Sequence, residues 1–359
     1  MTLALAEEFL REGYRVDVVL AQARGELLDE VVGAIKVIDL KAKRLRNVLR
    51  PLRTYLRRER PDALLAAMWP LTAIAVVAAR FARTGTKVVV SEHTMLSMTQ
   101  QASGVSGLML RVGYRFVVPR ADSVVAVSRG VADDLVSLGL DQGRAVVVNN
   151  PISQQNGGEN VPAELLEWWS AEGSLRLLAV GALKAAKDFY TLIEGLSHVL
   201  ERRPARLIIL GEGALRDSLS DFSKAKGVDQ FVRMPGYAER TAPYYHAADL
   251  FVFSSVFEGM GNVLVEALSA GTPVVSTDCR SGPAEILGDG KYGMLVPVGD
   301  PVALSKAILS REAWVTDPSL LRTRSRDFSP DRIAKRYLEL LFPMASSKDS
   351  NQRGGADRG

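Results

Sequence analysis

Short apolar, β-rich runs alternate with helix-length stretches along most of the chain, and this alternation restricts the fold more than any other feature. YRVDVVL, AIKVIDL, DALLAA, KVVVSE, ADSVVAV and RAVVVNN form one series; SLRLLAV, ARLIIL, QFVRM, DLFVFS, TPVVST and YGMLVPV form a second. Such alternation predicts parallel sheets with helices on both faces. Between the series lies SQQNGGENVP, a polar stretch with glycine and proline that reads as an interdomain linker. Two doubly wound domains are therefore expected, over residues 1–152 and 153–328. A helix at 329–342 is expected to pack back toward the first domain, and the small, charged tail 343–359 to be disordered. The length of 359 residues agrees, because single cores stop growing near ~250–300 residues. Facing doubly wound domains bind ligands at the carboxyl ends of their strands, so the site is expected in the cleft between them.

Hydrophobic residues at 47% and charged residues at 24% exclude a disordered or coiled-coil chain. The one cysteine, Cys279, cannot form an internal disulfide, and with three histidines it cannot complete a four-ligand structural zinc site. The opening MTLALAEEFLREGYRV has neither a basic leader nor a long apolar stretch, which predicts a cytoplasmic protein. LLAAMWPLTAIAVVAA, from Leu64 to Ala79, is broken by Pro70 and reads as strand, turn and helix rather than a membrane span.

The net charge of +4 hides an uneven distribution. From Lys36 to Arg60 ten basic residues stand against two acidic ones, a local excess of eight that leaves the remainder four negative. Leu45, Val48, Leu49, Leu52, Tyr55 and Leu56 recur there at helical spacing. A basic amphipathic helix of this kind can lie peripherally on an anionic membrane, or its apolar stripe can pack on a sheet and leave a solvated outer face. Nucleic acid is not an expected partner, because the patch lacks interleaved aromatics.

Residues 2–12 read as a helix leading into the strand Tyr14–Leu20, so the first domain is expected to lack its first strand and the glycine-rich loop after it. In a doubly wound domain that strand is central and its turn cradles phosphate.

The segment FVFSSVFEGMGNVLVEALSAGTPVVSTDCRSGPAEIL, Phe251 to Leu287, carries the chemistry. A buried strand ends at Ser254-Ser255, a turn holds Glu258, Gly259, Met260 and Gly261, and a helix opens near Asn262. Glycines let a ligand approach the backbone, and a helix N-terminus favours an anion such as a diphosphate. Glu258 in the turn and Glu266 in the helix can accept hydrogen bonds from sugar and ribose hydroxyls. On spacing alone, a capping Glu258 and a surface Glu266 fit equally well.

This segment resembles the donor-binding signature of the group 1 glycosyltransferases, retaining enzymes of the GT-B fold, in which two glutamates separated by seven residues precede a Gly-Thr-Pro-Val strand. Here these are Glu258, Glu266 and Gly271-Thr272-Pro273-Val274. VGALKAAKDFYTLIEGL, LIILGEGALRDSL, RMPGY, YYHAADLFVFSS and TDCRSGPAEIL resemble further family segments in order and spacing. The resemblance implies that Glu258 and the backbone of Gly259, Met260, Gly261, Asn262 and Val263 hold the donor sugar and diphosphate, and that Glu266 holds the ribose. It implies further that Lys187 neutralises phosphate, and that Gly181, Gly211, Gly236 and Tyr237 complete the donor site. His93, in VVVSEHT, matches a cleft histidine that touches sugar and acceptor, which makes Glu258, His93 and Lys187 the expected catalytic group.

Ala182 stands where the family often has an arginine, leaving Lys184 or a backbone amide as the substitute. Glu285 matches a position near the donor, while His246 is expected in structural packing. Nothing near Cys279 marks it as a nucleophile. No Asp-x-Asp pair occurs, so neither a metal nor a cofactor beyond the nucleotide-sugar co-substrate is expected.

The TDCRSGPAEIL variant resembles members that build bacterial surface polysaccharides from UDP-linked hexoses or N-acetylhexosamines on saccharide or lipid-linked acceptors, which fits work at the inner face of the cytoplasmic membrane. Two alternatives stand beside this reading: a catalytically impaired binding partner, motivated by the absent first strand, and a nucleotide-sugar epimerase of the same architecture.

Overall fold

The computed structural model describes residues 1–25, 28, 31, 33–99, 103–153, 160–310 and 317–343. The first half contributes β1 (Asp17–Leu20), β2 (Lys36–Asp39), β3 (Ala63–Ala67), β4 (Lys87–Glu92), β5 (Ser123–Ala126) and β6 (Ala145–Val147). The second contributes β7 (Leu175–Val180), β8 (Ala205–Leu210), β9 (Val232–Gly236), β10 (Leu250–Phe253), β11 (Val274–Thr277) and β12 (Met294–Val296). Each apolar run read from the sequence contains one of these strands, except that β9 runs two residues past QFVRM, and every described pairing is parallel. The tail from 344 and residues 154–159 of the linker lie outside the described residues, and so does the expectation of disorder for the tail.

In the second half one sheet runs β12-β11-β10-β7-β8-β9, so its earliest strand is central and the order reverses between β7 and β10. Successive side chains of a strand point to opposite faces, and both faces are buried. Leu177, Ile209 and Val252 pack on one side, and Leu178, Ile208 and Phe251 on the other. The second of these cores continues into the first domain, through Tyr114, Val124, Ala126 and Leu135, so the two domains share an apolar seam.

The first domain differs from a single open sheet. β1 and β2 form a two-stranded sheet, and β3-β4-β5-β6 form a separate four-stranded one. The edges of β1 and β3 line one cleft of about 570 Å³, together with Leu5, Phe9, Tyr337 and Leu341.

The basic stretch resolves into the helix Leu49–Glu59, whose Leu52, Tyr55 and Leu56 are buried. They pack on Ala75, Ala78 and Ala82 of the helix Leu71–Ala82. Arg57 donates to the carbonyls of Phe81 (3.1 Å) and Ala82 (3.4 Å), unsatisfied acceptors at that helix's end. Apart from Leu45, which is 45% exposed, the apolar stripe is thus consumed inside the domain. The helix Pro330–Leu341 follows the second domain yet packs Ile333, Ala334, Tyr337 and Leu341 against Leu5, Val89, Val125 and Val148 of the first. No described helix is long and apolar enough to cross a membrane.

Candidate active site

Three glycines meet at the carboxyl edge of the second sheet. Gly181 follows β7 and donates to Leu210 O (2.9 Å), while Gly211 follows β8 and donates to Gly236 O (2.8 Å) at the end of β9. A Cβ on Gly211 would collide with the Gly181 carbonyl, and Gly236 lies at φ 105, so the strand ends close up only because side chains are absent. Tyr237, next along, is 78% exposed, an aromatic face open at the rim.

Lys187 lies on a short turn, Ala185–Lys187, ahead of the helix Phe189–Leu200. Asp188 caps that helix, its carboxylate accepting from Thr191 N (3.3 Å) and Oγ1 (2.6 Å). The capped turn lays the Lys187 stem across Gly181, where a Cβ would approach Cε to 3.0 Å. Its ammonium reaches Glu258 Oε1 at 2.5 Å, with the side chains only 13% and 16% exposed, and stands 5.5 Å from the Phe253 ring centroid. Ser255 Oγ donates to the same Glu258 oxygen (2.8 Å), and Ser254 Oγ to Lys187 O (2.7 Å). A cation and a carboxylate from opposite sides of the β7/β10 reversal are thereby paired, the place where doubly wound sheets bind ligands.

Gly261, at φ 89, turns the chain into the helix Asn262–Ala270. Glu266 on this helix is half-buried, and accepts from Tyr245 OH (3.0 Å) and Thr241 Oγ1 (3.4 Å). Burial pushes its carboxyl above the usual range, against those two hydrogen bonds and the attraction of Lys187. Of the two readings that spacing left open, Glu266 as a plain surface residue is excluded. Burial, with Glu258 adding charge repulsion, pushes the Cys279 thiol up to about 12, so it is uncharged at neutral pH. Lys184 and Ala182 are exposed.

His93 directly follows β4. Its Nδ1 is 3.0 Å from Asn150 Oδ1 and its Nε2 3.0 Å from Ser91 Oγ. Ser91 Oγ in turn lies 2.9 Å from Tyr337 OH, and Asn150 Nδ2 donates to Asn262 Oδ1 (2.9 Å). The ring therefore links the C-terminal helix to the start of the donor-signature helix, with both of its nitrogens engaged by protein. A neutral ring donating from Nδ1 and accepting at Nε2 satisfies all of these contacts. Burial pushes the His93 pKa down, and the Asn150 bond restores only part of it.

A depressed folded-state pKa means the unfolded chain binds the proton more tightly. The resulting stability is present above the unfolded value of about 6.5 and is lost as pH falls through the folded pKa. The thermal midpoint is expected to drop between about pH 7 and 5.5, and to drop less in His93→Gln, which keeps hydrogen bonding without titrating. Buried Glu92 and half-buried Glu266, whose pKa values are raised, act in the opposite sense. The difference between wild type and variant isolates the histidine, and parallel curves would refute its contribution.

The domains close on one another around Gly259. Its carbonyl accepts from Ser128 Oγ (2.6 Å) of the first domain and Ser281 Oγ (2.7 Å) of the second. Met260 is buried, and its sulfur takes the Asn150 N–H at 3.1 Å. Glu285 accepts from Arg129 N (2.9 Å) and Asn149 Nδ2 (2.8 Å), so it bridges the domains. Sequence reasoning did not single out Ser128, Asn149, Asn150 or Ser281, although Ser128 directly follows an apolar run and Asn149 and Asn150 end one. His246, expected in packing, is exposed, because its neighbour Tyr245 takes the inward position on the short helix Ala242–Ala247. Glu92 was also missed. It is fully buried, accepting from Thr72 Oγ1 (2.8 Å), Tyr114 OH (2.5 Å) and Trp69 N (3.1 Å), and burial raises its pKa.

Two doubly wound domains closing on a glycine-lined site with a paired lysine and glutamate define the GT-B class of fold. Residues 1–156 match the family model for Glycosyltransferase Family 4, and residues 174–311 match that for Glycosyl transferases group 1. The two models together account for both domains, and the chain belongs to the group 1 glycosyltransferases.

Among curated relatives, the N-acetylgalactosamine-N,N'-diacetylbacillosaminyl-diphospho-undecaprenol 4-alpha-N-acetylgalactosaminyltransferase of Campylobacter jejuni is 28% identical over 265 residues, 72% of this chain and 70% of that protein. The lipopolysaccharide core biosynthesis glycosyltransferase LpsE of Rhizobium meliloti is 33% identical over 230 residues, 61% of this chain, which spans 64% of that relative's length. The fold is similar to the lipopolysaccharide outer core galactosyltransferase WaaB (TM-score 0.74, 18% identity, 95% of this chain and 94% of that one). It is also similar to Anabaena HepE in complex with UDP and glucose (TM-score 0.73, 20% identity, 94% and 95%).

Proposed function

We propose that this protein is a retaining hexosyltransferase that moves a hexose or N-acetylhexosamine from a UDP-sugar to a saccharide or lipid-linked saccharide in surface polysaccharide synthesis, working at the cytoplasmic side of the membrane without a metal ion. The observation that carries this reading is the Lys187–Glu258 pair at the β7/β10 reversal, beneath the turn that opens the Asn262–Ala270 helix. In this reading the diphosphate takes the Lys187 ammonium and the amides at the helix start, which supply preorganised positive charge as the leaving group departs. Glu258, released from the lysine, accepts sugar hydroxyls, Glu266 takes the ribose, and the rim aromatic Tyr237 lies beside the base.

Retention follows from front-side departure. The acceptor oxygen forms its bond to the anomeric carbon on the face from which the diphosphate leaves, and its proton passes to a departing phosphate oxygen. His93 positions the sugar through the Asn150–Asn262 link. The relatives support the substrate class by name: one transfers N-acetylgalactosamine onto a diphospho-undecaprenol-linked acceptor, and HepE was obtained with UDP and glucose.

The test is a panel of UDP-hexoses and UDP-N-acetylhexosamines with lipid-diphosphate saccharide acceptors, with the product linkage read by NMR. An α-linked product from the α-linked donor, formed at the same rate with and without EDTA, is expected. A β-linked product would overturn retention, and loss of activity in EDTA restored by Mn²⁺ would overturn metal independence. A second reading, a binding partner without turnover, is favoured by the split first-domain sheet with its open cleft. Calorimetric donor binding without transfer to any acceptor would establish it.

A further inference from the structure

The helix Gly104–Val112 and the turn Gly113–Val117 that continues it carry an apolar stripe on their solvent side. Val105, Leu108, Met109, Val112 and Phe116 are between 46% and 76% exposed. Their spacing of three or four residues puts them on one face. The inward face is already occupied: Leu110 and Tyr114 are buried, and the Trp69 ring stands where a Cβ on Gly113 would project. A surface helix normally turns polar residues outward, so one that is apolar on both sides presents a patch that marks an interaction site.

The charge around the stripe identifies what covers it. Residues 103–120 contain three exposed arginines, Arg111, Arg115 and Arg120, and no carboxylate. Arg115 is shared with the exposed Asp141 (2.9 Å). Across the neighbouring helix Leu71–Ala82, the exposed Phe81 adjoins Arg57 of the basic helix, whose guanidinium bonds its carbonyl. Exposed apolar side chains flanked by cations are the complement of an anionic lipid surface, with acyl chains beneath and phosphate above.

We propose that this face docks the protein on an anionic bilayer, with the stripe entering the acyl boundary and the arginines meeting headgroups. The apolar contact is thereby assigned to the 104–117 helix and not to the basic helix Leu49–Glu59, whose Leu52, Tyr55 and Leu56 are spent on the helix beside it. Tyr114, on the inner side of the docking element, bonds Glu92, the residue before His93. Docking would therefore hold the interdomain cleft close to the lipid. The proposal rests on no part of the transferase reading, because docking is measured without donor or acceptor.

Flotation with phosphatidylglycerol-containing and pure phosphatidylcholine vesicles tests it on the full chain. Wild type is expected to float with the anionic vesicles. Leu108→Ser/Phe116→Ser should weaken that binding at least about 10-fold, since each exposed apolar side chain contributes through its buried methylenes. Arg111→Gln should weaken it about 5-fold. The substituted side chains are exposed, so an unchanged melting temperature confirms folding.

As a second measurement, Leu108→Cys can be labelled with an environment-sensitive dye, the native Cys279 being buried. A blue shift on adding anionic vesicles is expected. Absence of wild-type flotation, equal flotation of the double variant or a silent dye would each overturn the proposal. So would a dimer dissolved by the double variant with no vesicle binding.

Discussion

Lys187→Ala is expected to lower kcat by about 10²–10³-fold, the loss found when one preorganised donor to a developing anion is removed. The structure leaves little to replace it. The ammonium is held against Glu258 and above the Phe253 ring, and its stem fills the space over Gly181 that a side chain there would need. Removing it strands the Glu258 carboxylate with Ser255 as its remaining hydrogen-bond partner among the described residues, in a site that is mostly closed to solvent. In the proposed mechanism the cation acts on charge that grows as the diphosphate departs, so kcat should fall more than donor affinity does. Lys187→Arg should not rescue, since a planar fork cannot occupy a slot shaped for a slim stem and a point charge. Glu258→Ala should also fall by more than ~10-fold. Single-turnover rates with calorimetric donor affinity check both, and a loss within ~10-fold, about 1.4 kcal/mol, would remove the assigned roles.

Gly259→Ala should cost at least ~100-fold in kcat/KM, on the scale by which small misplacements of reacting groups slow catalysis. A Cβ at this position would run into the His93 carbonyl oxygen and come within 2.8 Å of its carbon and 3.3 Å of Thr94 Cα, all of them main chain. Backbone cannot rotate away as a side-chain tip can, so the end of β4 and the donor turn must separate. The Ser128 and Ser281 bonds to Gly259 O and the Asn150–Asn262 link cross the same seam, and they would be strained together. Gly259 and His93 lie outside the helices and strands, so far-ultraviolet circular dichroism should be unchanged. Gly33→Ala, at a site with open space around the Cβ, is the matched control. Retention of kcat/KM within about threefold in Gly259→Ala would show that the seam does not govern turnover.

The strands were legible because each falls in a short apolar, β-rich run between helix-length stretches, and β8, β10 and β11, buried on both faces, need such a run. The donor-signature helix was legible for a related reason: its glycines, its two glutamates and the apolar strand before it are neighbours in sequence. Legibility ended where a side chain's partner came from far along the chain. Lys187 and Glu258 are 71 residues apart, and His93 and Asn150 are 57 apart. His246 shows the same limit within a single helix, since YYHAAD does not say which of two adjacent residues turns inward.

The two apolar stripes of the first domain separate the contributions most clearly. Sequence alone determined that the Leu49–Glu59 stretch is an amphipathic basic helix and that the chain folds as two parallel, doubly wound domains. The first follows from the helical period of 3.6 and the second from apolar runs alternating with helix-length stretches, both imposed by the local chain. Only the tertiary structure decided that this stripe is covered by the helix Leu71–Ala82 while the stripe from Val105 to Phe116 stays open, and that the first-domain sheet divides between β1 and β3. Periodicity specifies which face of an element is apolar. Whether that face meets protein or something else depends on long-range packing, which no local pattern encodes.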